Sequence, residues 1–360
     1  MRWFALFLPQ FHEVKENNEW WGEGFTEWTH VNAAKPLYAG HHQPIAPADN
    51  NYYNLMEKST VEWQTRLMKE HGIDGMVYYH YYFCGKKLLE KPAENLLKWT
   101  DIDQPFFFCW ANHSWFKAMD GVKHLLIEQQ YGAQAEWEEH FQYLLPFFRD
   151  ARYEKKNNKP LFMIFNAAFD EKCDMMAYFD KRCKEEGFDG ICVIETFSNS
   201  SEPKNYPTFR QNLSAQCEHV YVREPNSAQN LAFYHRNTLL WRIFQKGLRA
   251  LRLRTWILRS NSYSGKALYR IMMEPHYPER DVCHGVFFSW DNTPRHSTRG
   301  YVISPPDKRQ FMAYADSIKN DEYVFINAWN EWAEGMILEP TEHEGTKYLQ
   351  WIAEWIKANR

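Results

Sequence analysis

Eight short apolar runs recur along this chain of 360 residues, and their spacing constrains the fold more than any other feature. Most are separated by segments of helical composition, such as residues 60–71, 135–148 and 173–187. Continuous apolar runs are typical of strands buried on both faces, and strands that alternate with helices are typical of a parallel sheet. The pattern predicts an α/β fold, a (β/α)8 TIM barrel that residues 1–360 form as a single domain. The runs comprise residues 3–8, 73–83, 105–111, 160–166, 190–197, 217–222, 284–290 and 322–329.

Two long loops interrupt this alternation, one after strand one and one after strand six. The first, residues 9–58, is rich in Trp, Gly and His, and we expect it to fold over the barrel mouth. The second is an insertion at about 223–283 with helical and basic character. Within it, residues 236–270 hold nine Lys and Arg and no Asp or Glu, which leaves 33 of the 42 basic residues against all 46 acidic ones elsewhere.

The basic insertion predicts an amphipathic helix of roughly three turns. One face carries the basic residues Arg242, Lys246, Arg249 and Arg252, and the opposite face carries Leu240, Phe244 and Leu251. Two interpretations remain open. The helix either packs on the barrel with a solvated basic side, or makes a peripheral membrane contact through 236–270 with anionic lipid or a phosphorylated lipid-linked glycan. Nucleic acid is not an expected partner, because the rest of the chain is acidic and would repel it.

Polar and aromatic residues follow most of the runs, at the strand ends where the active site of a (β/α)8 barrel lies. Aromatic residues make up 17% of the chain, more than a core alone requires, and aromatic rings are natural platforms for the apolar faces of sugars. The candidate substrate-binding residues are His12, Trp28, Tyr79, His80, Tyr81, Trp110, Asn112, Trp115, Glu195, Trp290, Asp291, Asn330 and Trp332. We expect Trp110, Trp115, Trp290 and Trp332 to line the cleft.

Two carboxylates, Glu331 and Glu334, follow the eighth run and lie three residues apart among indoles. In a turn or a helical start such residues share a face, and carboxyl groups ~5–5.5 Å apart suit a retaining mechanism at a glycosidic bond. These two are the candidate catalytic residues. Glu334 is the candidate general acid/base, because nearby indoles would raise its pKa and keep it protonated near neutrality.

The remaining features indicate a cytoplasmic protein that needs neither a metal nor a cofactor. The amino terminus has the pattern of a first strand and not of a signal peptide, and no run approaches the ~18 apolar residues that span a bilayer. The seven cysteines are scattered and mostly lie in apolar runs, without a CxxC or a metal-ligand spacing.

Five segments together resemble the WbsX-type proteins, which are related to glycoside hydrolase family 99, the endo-α-mannosidases. They are LPQFH at 8–12, WWGEGFTEW at 20–28, DGMVYYHY at 74–81, WDNTPR at 290–295 and NEWAEG at 330–335. The resemblance implies a (β/α)8 barrel and retaining chemistry at an α-glycosidic bond, without metal or cofactor. It also implies that Glu331 acts on the sugar 2-hydroxyl and Glu334 as general acid/base.

The chain departs from the family pattern at one motif, where His113 and Ser114 replace Glu and Asn. WbsX-type proteins are often labelled glycosyltransferases, so the resemblance implies an oligo- or polysaccharide substrate in surface-polysaccharide metabolism, and the basic segment adds the prediction that this substrate is lipid-linked. The resemblance identifies the catalytic residues but not the acceptor of the glycosyl unit.

Two other functions stay open on the sequence. A barrel with an aromatic cleft could be a non-catalytic glycan-binding module, which the presence of both Glu331 and Glu334 disfavours. A nucleotide-sugar-dependent glycosyltransferase would need an Asp-x-Asp after a strand. Asp101 and Asp103 match that spacing but precede the third run, at the opposite end of the predicted barrel.

Overall fold

Eight parallel strands form the centre of the protein. The structure is a computed structural model that describes residues 1–119, 122–166, 169–197, 218–223, 238–260, 262–273 and 282–360. Each strand pairs with its neighbours in chain order, and the first also pairs with the eighth, so the ring of pairings is complete. The (β/α)8 barrel is confirmed. Its strands are β1 (Arg2–Phe7), β2 (Gly75–Phe83), β3 (Phe106–Trp110), β4 (Lys159–Ile164), β5 (Cys192–Phe197), β6 (Glu218–Arg223), β7 (Val282–Phe287) and β8 (Tyr323–Asn327).

Each strand overlaps one of the predicted apolar runs, with ends that differ by three residues or fewer. Residue 217, the first of the sixth run, lies outside the described residues. Short strands accompany the barrel at Lys86–Leu88, Trp115–Met119, Val122–Ile127, Lys155–Lys156, Tyr263–Ser264, Trp290–Asp291, Val302–Ser304, Asn330–Glu331 and Met336–Ile337.

Helices fill the segments between the strands, and the three predicted from composition, at 60–71, 135–148 and 173–187, are confirmed. Single 3-10 turns occur at Ala48–Asn50, Ser297–Arg299 and Trp332–Glu334. None of the helices in the described ranges is long and apolar enough to cross a membrane. The helices are α1 (Lys15–Trp21), α2 (Glu27–Ala33), α3 (Lys58–Glu70), α4 (Lys91–Lys98), α5 (Gln134–Arg149), α6 (Lys172–Glu185), α7 (Leu239–Ala250), α8 (Arg254–Ser260), α9 (Gly265–Met273), α10 (Thr293–His296), α11 (Lys308–Ser317) and α12 (Lys347–Asn359).

Successive side chains of each strand alternate between the barrel interior and the surrounding helices. Phe107 of β3 contacts Phe4 of β1 and Phe325 of β8 across the interior, with ring centroids 5.3 and 6.2 Å apart. Its neighbours Phe106 and Phe108 instead contact Phe147 of α5. This alternation decides which of the residues at the strand ends can reach the barrel mouth.

Candidate active site

The candidate catalytic residues lie just beyond β8. The short strand Asn330–Glu331 carries Glu331, and the 3-10 turn Trp332–Glu334 places Glu334 close enough for its charge to act on Glu331. Gly335 ends the turn in the left-handed region, with φ of 62°. A Cβ at Gly335 would lie 3.0 Å from the backbone nitrogen of Asp291, so glycine is needed here for both its conformation and its size.

Glu331 is the carboxyl of the pair that holds a proton at neutral pH. Burial and, after it, the charge of Glu334 raise the pKa of Glu331 from 4.5 to about 8, against the opposing effects of Arg295 and a hydrogen bond with Tyr79. From the sequence we expected burial among indoles to favour the protonated form of Glu334. In the structure the pKa that burial raises is that of Glu331.

Arg295 joins the carboxylates into one cluster. Its Nη1 lies 3.1 Å from Oε1 of Glu334, and its Nη2 donates to both carboxylate oxygens of Glu27, at 2.8 and 3.0 Å. Glu27 is fully buried and also accepts the backbone N–H of Ala333 at 3.1 Å. The loop after β1, which carries Glu27 on α2, is thereby fixed to the loop after β8.

Sequence reasoning did not select Glu27 or Arg295 as site residues. Both lie inside the motif segments at 20–28 and 290–295, and this membership is the signal by which they could have been selected.

Four of the predicted substrate-binding aromatics surround the carboxyl pair. Tyr79 and Tyr81 project from β2 toward Glu331: Tyr79 hydrogen-bonds to it, and burial together with the charge of Glu331 raises the pKa of Tyr81. Trp115 contacts Tyr81 edge-on, with centroids 5.0 Å apart. The indole N–H of Trp290 donates to Oε2 of Glu334 at 3.0 Å, and the Trp290 ring is only partly buried.

One of the two residues that depart from the family pattern, His113, also lies near this cluster. The ring of His113 lies 5.6 Å from that of Phe165, which in turn lies 6.1 Å from the ring of Tyr79. His113 is therefore two ring contacts away from Tyr79, which hydrogen-bonds to Glu331.

Three predicted polar residues satisfy protein groups and hold the mouth together. Asp291 is buried and accepts hydrogen bonds at 2.8 Å from both His41 and Gln43. Asn330 is fully buried and bonds to both the N–H and the C=O of Leu8, which ties β8 to β1. Asn112 in the same way exchanges two hydrogen bonds with the backbone of Asn166, after β4.

The structure does not bring His80, Trp110 or Glu195 to the barrel mouth, because they occupy the outward-facing positions of their strands. The Nε2 atoms of His80 and His140 of α5 lie 2.8 Å apart, and burial lowers the pKa of His80 to about 3. Trp110 is 1% exposed and donates its indole N–H to the carbonyl of Tyr82. Glu195 is 1% exposed and forms an ion pair of 2.5 Å with Lys172 at the start of α6.

Trp28 and Trp332 pack against each other, with ring centroids 5.2 Å apart. Trp332 is 1% exposed, so the expectation that four tryptophans line the cleft fits Trp115 and Trp290 but not Trp110 or Trp332. Trp332 lines a cavity of about 400 Å³ together with Tyr53, Trp63, Pro340 and residues 47–51.

His12 is also buried. Burial lowers its pKa to about 4, so the ring is neutral at physiological pH.

Another buried carboxylate, Glu339, was not found from the sequence. Its Oε1 accepts from Gln64 and Trp329, at 2.6 and 2.9 Å, and its Oε2 accepts from Tyr53 and Trp332, at 2.8 and 2.7 Å. Burial raises its pKa to about 7, although all four donors oppose the rise. Glu339 therefore anchors the indole of Trp332, which lies between the two candidate catalytic residues in the chain.

The Asp101–Asp103 pair lies at the amino end of β3 and forms ion pairs with Lys58 and Lys69 of α3. It is thus remote from the mouth, as expected. Within the described ranges, no group of three or more His, Cys, Asp or Glu side chains is arranged to hold a metal ion.

Known proteins resemble this chain in both sequence and fold. Two proteins from Xanthomonas campestris pv. campestris, each named uncharacterized protein WxcX, are 31% and 30% identical to it over 96% of its length, in strains ATCC 33913 and B100. The chain spans about half of these relatives, 48% of each.

Among solved structures, an endo-α-mannosidase of glycoside hydrolase family 99 from Bacteroides thetaiotaomicron, in complex with bis-tris-propane, aligns with a TM-score of 0.57. That alignment has 12% identity and covers 100% of this chain and 97% of that one. A structure described as a glycoside hydrolase-like protein aligns with a TM-score of 0.58 and 11% identity over 98% and 93% of the two chains. These likenesses show a shared fold. The sequence model of the family described as glycosyltransferase WbsX matches residues 3–352, and the chain belongs to that family.

Proposed function

We propose that the protein is a retaining carbohydrate-active enzyme that cleaves or transfers an α-linked glycosyl unit of a bacterial surface polysaccharide. The carboxyl pair beyond β8 is the observation that carries this proposal. Glu331, whose pKa is raised to about 8, lies beside Glu334, which is paired with Arg295. A protonated carboxyl next to a carboxylate supplies one acid and one base to the same bond, as glycosidic chemistry requires.

In such a site the acid donates its proton to the glycosidic oxygen as the bond from C1 to that oxygen breaks, while the second residue, as a carboxylate, removes the proton of the sugar 2-hydroxyl and the 2-oxygen forms a new bond to C1. In the second half the acid residue, now a carboxylate, removes a proton from the attacking group, which bonds to C1 as the bond from C1 to the 2-oxygen breaks and the second residue returns the proton to that oxygen. A water molecule as that group completes hydrolysis, and a sugar hydroxyl completes transfer. The partly buried ring of Trp290 and the ring of Trp115 are the surfaces we assign to stacking on the sugar.

Two assignments of the roles fit the pair. The family resemblance gives the acid/base role to Glu334 and an action on the 2-hydroxyl to Glu331. The raised pKa of Glu331 supports the reverse assignment in the ligand-free protein, because the proton needed for leaving-group departure lies on Glu331.

Leaving-group dependence separates these assignments. Replacing the acid/base by alanine should remove most activity on glycosides with poor leaving groups, and a good leaving group or added azide should restore part of it. Glu334→Ala shows this pattern under the first assignment, and Glu331→Ala under the second. A loss that is equal for all leaving groups in both variants would contradict an acid role for either residue.

The alternative of a glycan-binding barrel is distinguished by comparing turnover with affinity. Glu331→Gln and Glu334→Gln preserve the size of the side chains and should abolish turnover while glycan affinity is retained. A wild-type protein that binds glycans but turns over none of them, under conditions where the variants bind equally well, would favour the binding module.

The substrate proposed for the enzyme is an oligo- or polysaccharide, free or lipid-linked, and the compartment proposed is the cytoplasm. The scattered cysteines support this compartment, since four of the six in the described residues are buried inside the barrel and its helices.

A further inference from the structure

The hairpin formed by α7 and α8, residues 239–260, presents an apolar surface to solvent. It belongs to the long loop after β6 and so lies on the side of the barrel to which the carboxyl ends of the strands point. The sequence left open whether α7 packs its apolar face on the barrel. In the structure α7 has three faces, and the apolar face is not the packed one.

The packed face of α7 consists of Trp241, Gln245 and Leu248, of which Gln245 and Leu248 are buried. The second face is apolar and exposed, and its members keep about half or more of their surface in solvent: Leu240 79%, Ile243 58% and Phe244 49%. Leu251 and Trp256 extend this surface through the turn and into α8, at 70% and 57% exposed. Exposed apolar groups this numerous and this close together mark an interaction site.

The third face is basic and borders the apolar one. It carries Arg242, Lys246 and Arg249, which are exposed and form no ion pair with any carboxylate of the described chain. Residues 238–273 contain no Asp or Glu at all, so nothing in this segment neutralises them. Among its cations Lys266 is paired, with Asp307 at 3.2 Å.

The hairpin is connected to the candidate active site through two sets of contacts. Helix α8 packs against the 3-10 turn Ser297–Arg299, which begins two residues after Arg295. The Arg259 guanidinium of α8 lies 5.6 Å from the ring of Tyr38, and Tyr38 stacks on His41. His41 in turn hydrogen-bonds to Asp291, next to Trp290.

We propose that the α7–α8 hairpin docks on an anionic lipid bilayer, with the apolar face of α7 and the Trp256 ring in the headgroup region and the basic face against lipid phosphates. An exposed apolar arc bordered by Lys and Arg, with a Trp at its edge, is the pattern of a helix that lies in a membrane interface. A second copy of this chain is a poorer partner, because a symmetric contact would bring two basic faces together.

Docking at this position orients the barrel mouth toward the bilayer. A glycan attached to a membrane lipid would then meet Trp290 and the carboxyl pair without leaving the membrane surface. This delivery of substrate rests on the proposed function. The docking itself depends only on the composition and exposure of the hairpin.

Vesicle flotation of the full chain tests the proposal. The probes are vesicles of phosphatidylcholine alone and of phosphatidylcholine with roughly 30% phosphatidylglycerol, at about 0.05 M and about 0.5 M salt. The wild-type protein should float with the anionic vesicles at low salt, and less at high salt. Binding that is equal for both compositions, or absent from both, overturns the proposal.

Two variants separate the faces. Arg242→Gln with Lys246→Gln and Arg249→Gln should lower the partition coefficient on the order of 100-fold, since each cation near an anionic surface contributes about a factor of five. Leu240→Ser with Ile243→Ser and Phe244→Ser should abolish flotation. The matched control replaces Lys98, Lys319 and Lys357, three exposed lysines at or just after the carboxyl ends of helices, by Gln and should float like the wild type.

Because all six replaced hairpin residues are exposed, we expect the variants to keep the wild-type unfolding midpoint. Loss of binding in the control as well would show that net charge, and not the hairpin, governs flotation, and would overturn the proposal. The proposal is also overturned if the wild type floats with neither kind of vesicle but forms a concentration-dependent dimer that the serine variant does not form. Glu334→Gln should float normally whatever its activity, so failure of docking and failure of the proposed function are separate results.

Discussion

Replacing Glu331 by Gln should make the free energy of unfolding less sensitive to rising pH. Burial and the charge of Glu334 raise the pKa of Glu331 from 4.5 to about 8. Between these values the folded protein holds a proton that the unfolded chain has lost, so the stability of the wild type falls as the pH rises through this window. At 1.36 kcal/mol for each pKa unit the loss reaches about 5 kcal/mol as an upper bound. A glutamine of the same size binds no proton and does not contribute this loss.

Urea unfolding at a series of pH values from about 5 to about 9 measures the effect. The variant should become more stable relative to the wild type as the pH rises, by on the order of 3 kcal/mol across the series, while its activity is lost. Glu70→Gln, at an exposed position of α3, is the matched control and should follow the wild type. Parallel curves for the wild type and Glu331→Gln, within about 0.5 kcal/mol, would refute the assignment of the proton to Glu331.

Two further predictions concern the charges around the site. Arg295→Gln removes a cation that lowers the pKa of Glu331, so the alkaline limb of the pH profile of kcat/KM should move above its wild-type position near pH 8. If the limb does not move, Arg295 does not influence the pKa of the catalytic acid. Glu339→Gln places an amide nitrogen, itself a donor, opposite two of the four donors that bind Glu339. The free energy of unfolding in urea at pH 8 should therefore fall by on the order of 2–3 kcal/mol, and a fall of less than about 1 kcal/mol would contradict the hydrogen-bond network.

The barrel could be predicted from the sequence because strands buried on both faces leave continuous apolar runs. All eight runs overlap strands of the structure, and segments 135–148 and 173–187 form α5 and α6. A run does not show which face its last residues occupy, however. A shift of one residue exchanges interior and exterior. His80 lies between Tyr79 and Tyr81 in the chain but points toward α5, whereas those two tyrosines reach Glu331.

Contacts between distant segments were the other part that the sequence could not provide. Glu27 and Arg295 are separated by 268 residues, and no local pattern indicates that one neutralises the other. The polar residues at strand ends raised a related difficulty. Asp291, Asn330 and Asn112 have the side chains of ligand-binding residues, but each is used to satisfy backbone or loop groups where the chain turns over the barrel rim.

The proton on Glu331 follows from its burial, from the charge of Glu334, and from the way in which Arg295 is shared. The cluster holds three carboxyl groups, and its guanidinium donates two hydrogen bonds to Glu27 and pairs with Glu334. Because Arg295 is bound by these two carboxylates, it attracts a negative charge on Glu331 only through space. An ionised Glu331 would be a third buried negative charge beside one cation that is already paired. Binding a proton is then the less costly state for Glu331. The loop after β1, which supplies Glu27 from a distant part of the chain, thus helps to set the protonation of a catalytic candidate through the arginine that it holds.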